Sequence, residues 1–293
     1  MSERWTIRGA GHEASVLQAG GGLGTLTRDG EPLVAGPPTG TAVSGGRGQL
    51  LLPWPNRIRD GRYSWAGTER QLPLTEPALH NASHGLARWC PWQLLEHEPS
   101  RLEVGLALMP QPGYPWELRL RASYAVDERG LTVTVSGENL SDEAVPFAAG
   151  MHPYLDPGAV ADDVELTVPG AVHQVTDAQK VPAGTAPTPP DRDFREPRRI
   201  GSLELDDGWT DLERDAEGWA TVRLRGTRTV ALHLGPQWRW TQVFTGDTLS
   251  SGQRQSIAVE PMSAPANAFN SGTDLVTLEP GERWSGDFRI AGE

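Results

Sequence analysis

Cysteine and lysine are nearly absent from this chain of 293 residues. Cys90 is the only cysteine, so the chain can form neither an internal disulfide nor a cysteine-rich zinc site. Lys180 is the only lysine, and no Gly-Lys-Ser/Thr sequence of a phosphate-binding P-loop occurs. Schiff-base chemistry could use only Lys180, which lies in a segment rich in proline that we expect to be a loop. Thiol-based, lysine-based and P-loop chemistry are therefore poor candidates.

Positive charge and long apolar runs are also scarce. Lys and Arg number 26 against 38 Asp and Glu, a formal net charge of −12. A nucleic-acid-binding protein needs a clustered basic face, which this balance argues against. No apolar run approaches the ~20 residues that span a bilayer, and the first residues lack the apolar core of a secretory signal. We therefore expect a soluble, cytoplasmic protein that binds neither nucleic acid nor membrane.

Glycine and proline, by contrast, are plentiful, with 34 and 25 residues, and leave little room for long helices. Between them lie runs in which apolar and polar residues alternate, the pattern of a half-buried strand. Residues 116–126 and 131–135 alternate in this way around a turn and predict a hairpin. Further runs at 222–234 and 274–290 predict an all-β fold, a sandwich or barrel of antiparallel sheets. We interpret the proline-rich segment 181–197 as a surface loop and expect residues 1–293 to form a single domain.

Metal and nucleophile signatures are weak. His80 and His84 would share one face of a helix, but proline and glycine flank them and no HExxH sequence occurs. There is no GxSxG sequence, and Cys90 between Trp89 and Pro91 has the surroundings of a packed thiol. We therefore predict no metal, no cofactor and no covalent intermediate.

Two residues are candidates for general acid–base chemistry because each ends an apolar strand. His152 follows the apolar segment VPFAAGM, and Glu260 closes a strand that begins near Ser256. A histidine with satisfied hydrogen bonds and a solvated carboxylate are the open alternatives. Asn56 and Arg57 follow two prolines and a tryptophan, which suits binding of hydroxyl or carboxylate groups but also an ordinary surface turn.

Aromatic side chains offer a further candidate for ligand binding. Trp238 and Trp240 alternate with Arg239, so on a strand they would share one face. Such a face either fills the core or stacks on the apolar side of a sugar ring, and the sequence leaves both open.

Four segments occur together in one order: PNRIRDGRYSWAG, SHGLARWCPW, MHPYLD and EPMSAPANAFN. In that order and spacing they resemble the aldose 1-epimerase (galactose mutarotase) family, over nearly the whole chain from about Gln18 to Ile290. The resemblance implies a large twisted antiparallel β-sandwich. It also implies an isomerase that interconverts the α and β anomers of a free hexose, with a sugar as its partner, as a monomer or homodimer.

The resemblance also implies roles for individual residues. Asn56, Arg57 and His84 match positions that bind sugar. His152 matches the catalytic histidine and Glu260 the catalytic base of the family. Apolar surroundings are expected to raise the pKa of Glu260, and a nearby carboxylate that of His152.

Other positions match less directly. Asp206 matches a sugar-binding aspartate, with Asp207 and Asp211 as alternatives. A family glutamine has no clear counterpart, and Trp238 lies nearest to it, so Trp238 is included as a sugar contact. The family's His-x-Tyr-Phe-Asn sequence ends in asparagine, and the corresponding residue here is Asp156.

The sequence leaves three alternatives to a free-hexose mutarotase. HGLAR resembles the branch that acts on hexose 6-phosphates, although Asn-Arg-Ile at 56–58 resembles the free-sugar branch. A carbohydrate-binding protein without turnover is the second alternative. Glycoside hydrolysis by paired carboxylates is the third, and no second carboxylate supports it.

Overall fold

The computed structural model describes residues 3–37 and 43–293. Within them the chain forms 27 strands, the single-turn 3-10 helices Pro77–Leu79 and Ala161–Asp163, and one four-residue helix, α1 (Ala268–Ser271). The first nine strands are β1 (Arg4–Gly9), β2 (His12–Leu17), β3 (Leu23–Arg28), β4 (Glu31–Val34), β5 (Leu50–Leu51), β6 (Arg57–Arg59), β7 (Arg62–Trp65), β8 (Thr68–Gln71) and β9 (Asn81–Ser83). The next nine are β10 (Gln93–His97), β11 (Arg101–Leu108), β12 (Leu118–Asp127), β13 (Gly130–Asn139), β14 (Val145–Phe147), β15 (Gly150–Met151), β16 (Tyr154–Leu155), β17 (Glu165–Thr167) and β18 (Gly170–Thr176). The last nine are β19 (Pro182–Pro187), β20 (Arg198–Arg199), β21 (Asp206–Leu212), β22 (Ala220–Arg225), β23 (Thr229–Leu234), β24 (Trp240–Phe244), β25 (Ile257–Met262), β26 (Val276–Leu278) and β27 (Arg283–Gly292).

Two large antiparallel sheets carry the fold. In the described residues the first has twelve strands, in the order β1-β2-β3-β4-β16-β25-β24-β21-β18-β19, with β15 and β5 attached beside β25. The second has nine, in the order β10-β11-β12-β13-β27-β23-β22-β17-β20. Strands β1 and β2 of the first sheet contact β12 and β13 of the second, and one continuous apolar core lies between the sheets. The all-β sandwich predicted from the sequence is confirmed.

The alternating runs in the sequence all form strands, and most of them belong to the second sheet. β12 and β13 form the predicted hairpin, with Asp127 opposite Gly130 and Leu118 opposite Asn139. The two runs near the C-terminus also form strands, but they do not pair with each other. β26 pairs with β14 in a separate two-stranded ribbon, whereas β27 pairs with β13 and β23 at the centre of the sheet. A period-two pattern therefore predicts strands, but not their partners.

Segment 181–197 is more ordered than the surface loop predicted for it. Residues Pro182–Pro187 form β19, the edge strand of the twelve-stranded sheet, and pair with β18. β19 carries prolines at both ends, which is tolerated because an edge strand does not need every backbone N–H for pairing.

No helix in residues 3–37 and 43–293 has the length and apolar character needed to cross a membrane.

The sugar contact predicted at Trp238 is wrong, because this side chain is part of the core. Its exposure is 0%. Its indole ring packs edge-on against Trp284 and Phe288, with centroids 5.3 and 5.6 Å away. An aromatic side chain of this size contributes more when buried between two sheets than on an exposed face. Trp240 is also buried, and its indole N–H donates to Asp274 at 2.8 Å.

The centre of the twelve-stranded sheet positions the residues that follow. β25 lies between β24 and β16, and its Val259 belongs to the core between the sheets. Because side chains alternate along a strand, the next residue, Glu260, points to the opposite face. Gln242 on β24 lies directly opposite Glu260, and Asp206 on β21 lies opposite Phe244 of β24. Three neighbouring strands thus present polar side chains on the face away from the core.

Replacement of Trp238 tests its place in the core. Trp238→Ala leaves a cavity between the sheets, so we expect the free energy of unfolding to fall by about 3–5 kcal/mol in urea denaturation. Trp238→Phe keeps a ring against Trp284 and Phe288 and is expected to cost less. If Trp238→Phe has normal stability but no longer binds sugar, Trp238 contacts the ligand after all.

Candidate active site

Glu260 and His152 form a buried pair at the centre of the site. Glu260 Oε1 lies 3.3 Å from His152 Nε2, and both side chains are more than nine-tenths buried. The second carboxyl oxygen of Glu260, Oε2, has no hydrogen-bond partner among the residues that the structure describes. The pair therefore has the proximity needed to exchange a proton, and one carboxyl oxygen remains available to a ligand.

Aromatic stacking fixes the plane of the His152 ring. His152 lies between the short strands β15 and β16, and the ring of Tyr154 stacks on it at 5.1 Å with 9° between the planes. The guanidinium of Arg47 lies 4.0 Å from the centre of the Tyr154 ring. Gly46 approaches so closely that a Cβ there would lie 2.7 Å from His152 Cδ2, and its φ is +74°. Both facts favour glycine at position 46.

Arg57 is held by carboxylates on two sides. Its Nε and Nη2 donate to the two oxygens of Glu76 at 2.7 and 3.1 Å, a bidentate pair. Its Nη1 lies 3.8 Å from Asp206 Oδ2 and 3.4 Å from Asn56 Oδ1. Asn56 sits in a left-handed turn, with φ of 54°, between β5 and β6. A guanidinium fixed in this way is a rigid donor at the cavity wall.

Of the three aspartates that match the family less directly, Asp206 lies in the site. Its Oδ1 accepts a hydrogen bond of 2.9 Å from Gln242 Nε2. Asp207 is on the opposite face of β21, where its Oδ1 lies 2.6 Å from His173 Nε2 and 3.4 Å from Arg192 Nε. The side chain of Asp211 is exposed to solvent, and its backbone has the left-handed conformation. The alternation of side chains along β21 is what separates Asp206 from Asp207.

His84 joins the site through backbone contacts. Its N–H donates to the carbonyl of Asn56 at 2.8 Å, and its ring stands edge-on to His152 with centroids 5.4 Å apart. The next residue, Gly85, has φ of +71°, and a Cβ there would lie 2.0 Å from the carbonyl oxygen of Leu52. Gly85 is therefore needed for the close approach that brings His84 to the cavity.

These side chains line one cavity of about 450 Å³. Six of the seven residues predicted from the sequence as site residues line it: Asn56, Arg57, His84, His152, Asp206 and Glu260. The volume is sufficient for a monosaccharide, and the polar lining suits hydroxyl groups.

Sequence reasoning missed four residues of the site. Gln242 does not line the cavity, but it donates to Asp206 from the strand beside Glu260. In the sequence Gln242 comes four residues after Trp238. The sequence does not give the register of this strand, and it is the register that places Gln242 opposite Glu260. Glu76, Arg47 and Arg88 lie in segments without a strand pattern, and only their position in the fold connects them with the site.

Burial controls the protonation of Glu260. Loss of solvent, together with the charge of Asp206, raises the pKa of Glu260 well above its usual range, and Arg57 opposes this only in part. Because ionising a buried carboxyl costs several kcal/mol of solvation, the protonated form of Glu260 is favoured to higher pH than that of an exposed glutamate. The direction predicted from the sequence is confirmed.

For His152 the prediction of a raised pKa is wrong. Burial, and then the positive charges of Arg47, Arg88 and Arg57, lower its pKa to about 3. Burial and the neighbouring cations Arg88 and Arg57 likewise depress the pKa of His84. The imidazole of His152 beside Glu260 is therefore neutral at neutral pH.

The two histidines considered as metal ligands are not arranged as a pair. His80 is exposed, and its Nδ1 lies 2.8 Å from Asp60 Oδ1, whereas His84 lines the cavity. Within residues 3–37 and 43–293, no group of three or more histidine, cysteine, aspartate or glutamate side chains is arranged to hold a metal ion.

Comparison with known proteins gives matches over the full length. The family model described as aldose 1-epimerase matches residues 3–291. The uncharacterized protein YihR of Escherichia coli strain K12 is 32% identical over 285 residues, which cover 96% of this chain and 91% of that protein.

Solved structures share the fold. A galactose mutarotase-like protein from Clostridium acetobutylicum is similar with a TM-score of 0.87 at 18% identity, covering 100% of this chain and 98% of that one. Galactose 1-epimerase from Lactobacillus acidophilus NCFM is similar with a TM-score of 0.81 at 21% identity, covering 100% and 98% of the two chains. With the family match over nearly all residues, the chain belongs to the aldose 1-epimerase family.

Proposed function

We propose that this protein is an aldose 1-epimerase that interconverts the α and β anomers of a free hexose such as glucose or galactose. The observation that carries the proposal is the contact of 3.3 Å between Glu260 and His152 at the base of a polar, sugar-sized cavity. Anomer exchange needs one group to take a proton from O1 and another to give a proton to the ring oxygen, and no other reagent.

Ring opening uses the ionised form of the pair. The shared proton moves from Glu260 to His152 across the 3.3 Å contact and leaves a carboxylate beside an imidazolium. The carboxylate then takes the proton of the O1 hydroxyl, a C1=O double bond forms, and the C1–O5 bond breaks. O5 takes its proton from His152. The products are the open aldehyde, a protonated Glu260 and a neutral His152.

Ring closure reverses these transfers after rotation about C1–C2. The O5 hydroxyl attacks the other face of the carbonyl and gives its proton to His152, while Glu260 returns a proton to O1. The state that follows ring opening has the same protonation as the free protein. A single proton therefore serves both directions, and the buried pair needs no exchange with solvent during turnover.

The remaining side chains hold the hydroxyl groups. Arg57 can donate a hydrogen bond to one hydroxyl, and Asp206 can accept one from another. Arg57 Nη1 and Asp206 Oδ2 are 3.8 Å apart, which suits two adjacent hydroxyls of a sugar. Gln242 orients Asp206, Glu76 orients Arg57, and His84 contributes a ring nitrogen. Fixed partners of this kind contribute to the rate by positioning the reacting atoms.

A hexose 6-phosphate is the second candidate substrate, because two further arginines reach the cavity. Arg47 and Arg88 both line it, and neither forms an ion pair with a carboxylate in the part of the chain that the structure describes. A guanidinium pair could bind a phosphate. Polarimetry with glucose and glucose 6-phosphate in parallel decides between the two substrates.

Removal of the base tests the proposal. Glu260→Gln keeps the shape of the side chain but cannot accept a proton, so we expect kcat/KM in polarimetry on fresh α-D-glucose to fall at least about a hundredfold. Sugar binding, measured by calorimetry, is expected to persist. Glu128→Gln, at an exposed position, is the matched control and should keep normal activity. Near-normal turnover by Glu260→Gln would exclude Glu260 as the base.

The pH profile tests the shared proton. Burial raises the pKa of Glu260 and lowers that of His152 to about 3, so the proposal places the shared proton on Glu260 in the free protein. We therefore expect kcat/KM to fall as Glu260 ionises, with no separate limb at about pH 6.5, the ordinary pKa of histidine. A fall centred on the ordinary histidine value would mean that Glu260 is already ionised and that His152 holds the proton.

Stability offers a readout that does not depend on turnover. In the unfolded chain Glu260 ionises at about pH 4.3, whereas burial raises its pKa in the folded protein. Between these two pKa values the free energy of unfolding therefore falls as pH rises, by about 1.4 kcal/mol per pH unit. His152 is present in both the unmodified protein and Glu260→Gln, so we expect its contribution to the pH dependence of stability to cancel in the comparison. We expect the Tm of Glu260→Gln to exceed that of the unmodified protein by a margin that grows as pH rises above about 4.3, the ordinary pKa of glutamate. A margin that is constant or shrinks, as expected for Glu128→Gln, would contradict a protonated Glu260.

A further inference from the structure

A second cavity adjoins the sugar site. It has a volume of about 670 Å³, and its lining shares Ser44, Arg47 and Ser251 with the first cavity. Arg47 thus stands at the junction, with its guanidinium on the Tyr154 ring and its Nη1 donating to Ser256 at 3.0 Å. A single hexose in the first cavity leaves this neighbouring space for a larger ligand.

The order of residues across the site indicates which part of the sugar faces the second cavity. In the proposed function Glu260 contacts O1 and His152 contacts the ring oxygen O5. Beyond His152 come the Tyr154 ring at 5.1 Å and then Arg47 at 4.0 Å from that ring. Since C5 is bonded to O5 and carries C6, the direction from Glu260 through His152 leads to C6.

The opposite side of Glu260 is occupied by other groups. Gln242 and Asp206 lie there on the next two strands, and Arg57 contacts Asp206. That side suits the hydroxyl at C2, which neighbours C1. A substituent at C6 therefore has open space before it, whereas one at C2 meets the sheet.

The lining of the second cavity favours a neutral group rich in hydroxyls. It combines the small polar side chains of Ser44, Ser251 and Ser256 with Gln255, and it includes the carboxylate of Asp156. Asp156 Oδ1 accepts from the backbone of Gly158 at 2.9 Å and lies 3.7 Å from Arg228 Nη2. With this carboxylate paired, the lining offers mainly hydroxyl and amide groups, which are common partners of sugars.

We infer that the second cavity is a subsite for a hexosyl unit attached at C6, so that reducing (1→6)-linked disaccharides are substrates. This inference rests on the proposed function and extends it from monosaccharides to a defined linkage. The reducing unit occupies the cavity of Glu260 and His152, and the second unit passes Arg47 to reach Gln255 and Asp156.

The test compares linkages in one assay. NMR exchange spectroscopy of the anomeric protons measures turnover at equilibrium for glucose, for the (1→6) disaccharides melibiose and gentiobiose, and for the (1→4) disaccharide maltose. Gln255→Trp places a ring in the second cavity from an exposed loop position. Gln253→Trp is the matched control, because Gln253 is exposed in the same loop and lines neither cavity.

We expect the (1→6) disaccharides to be turned over at least about tenfold more efficiently than maltose, because only their second unit is directed into the open space. Gln255→Trp should lower kcat/KM for them by a similar factor and leave glucose unchanged, whereas Gln253→Trp should change neither. Turnover of glucose without any preference for (1→6) linkages, or equal effects of Gln255→Trp on all sugars, would overturn the inference.

Failure of the proposed function gives a different result. Neither glucose nor any disaccharide would then be turned over. Saturation-transfer NMR with melibiose still tests the subsite in that case. Contacts to the non-reducing unit that are present in the unmodified protein and lost in Gln255→Trp would support the subsite, and their absence from the unmodified protein would overturn it.

Discussion

The burial of one carboxyl group beside one imidazole is the constraint on which the site depends. Glu260 and His152 are 3.3 Å apart and both are buried, so neither is easily charged alone. In the proposed function they share one proton, which can lie on either partner without a net charge on the pair. A pair in water would separate its charges at ordinary pKa values. Here the removal of solvent raises the pKa of the carboxyl and lowers that of the imidazole, so the state with the proton on Glu260 is favoured.

The twelve-stranded sheet makes this burial possible. Strand β25 is paired on both edges, so the backbone beside Glu260 has its hydrogen bonds satisfied and only the side chain must be accommodated. The side of the sheet that carries Val259 fills the core, and the other side carries Glu260, Gln242 and Asp206. The start of β6 supplies Arg57, and loops supply His84 and Arg47, around this polar face. In the proposed function the sheet positions Glu260, and the segments around it contact the sugar.

Much of this arrangement could be predicted from the sequence, for physical reasons that differ by residue. Alternation over 116–126 predicts a strand because one face must be buried, and the hairpin follows from the turn. The motifs around Asn56, His84, His152 and Glu260 mark residues that the fold brings to one cavity. Gln242 could not be identified, because its role comes from lying opposite Glu260 in a register that non-local pairing sets. Trp238 was misplaced for the same reason, and the pKa of His152 depends on arginines distant in sequence.

The protonation state of Glu260 at neutral pH is the most direct test of this account, and infrared difference spectroscopy measures it without substrate. The spectrum of the unmodified protein minus that of Glu260→Gln isolates the carboxyl group. We predict the C=O band of a protonated carboxylic acid at neutral pH, which disappears on alkaline titration together with activity. A difference spectrum that shows only the bands of an ionised carboxylate at neutral pH would contradict the account.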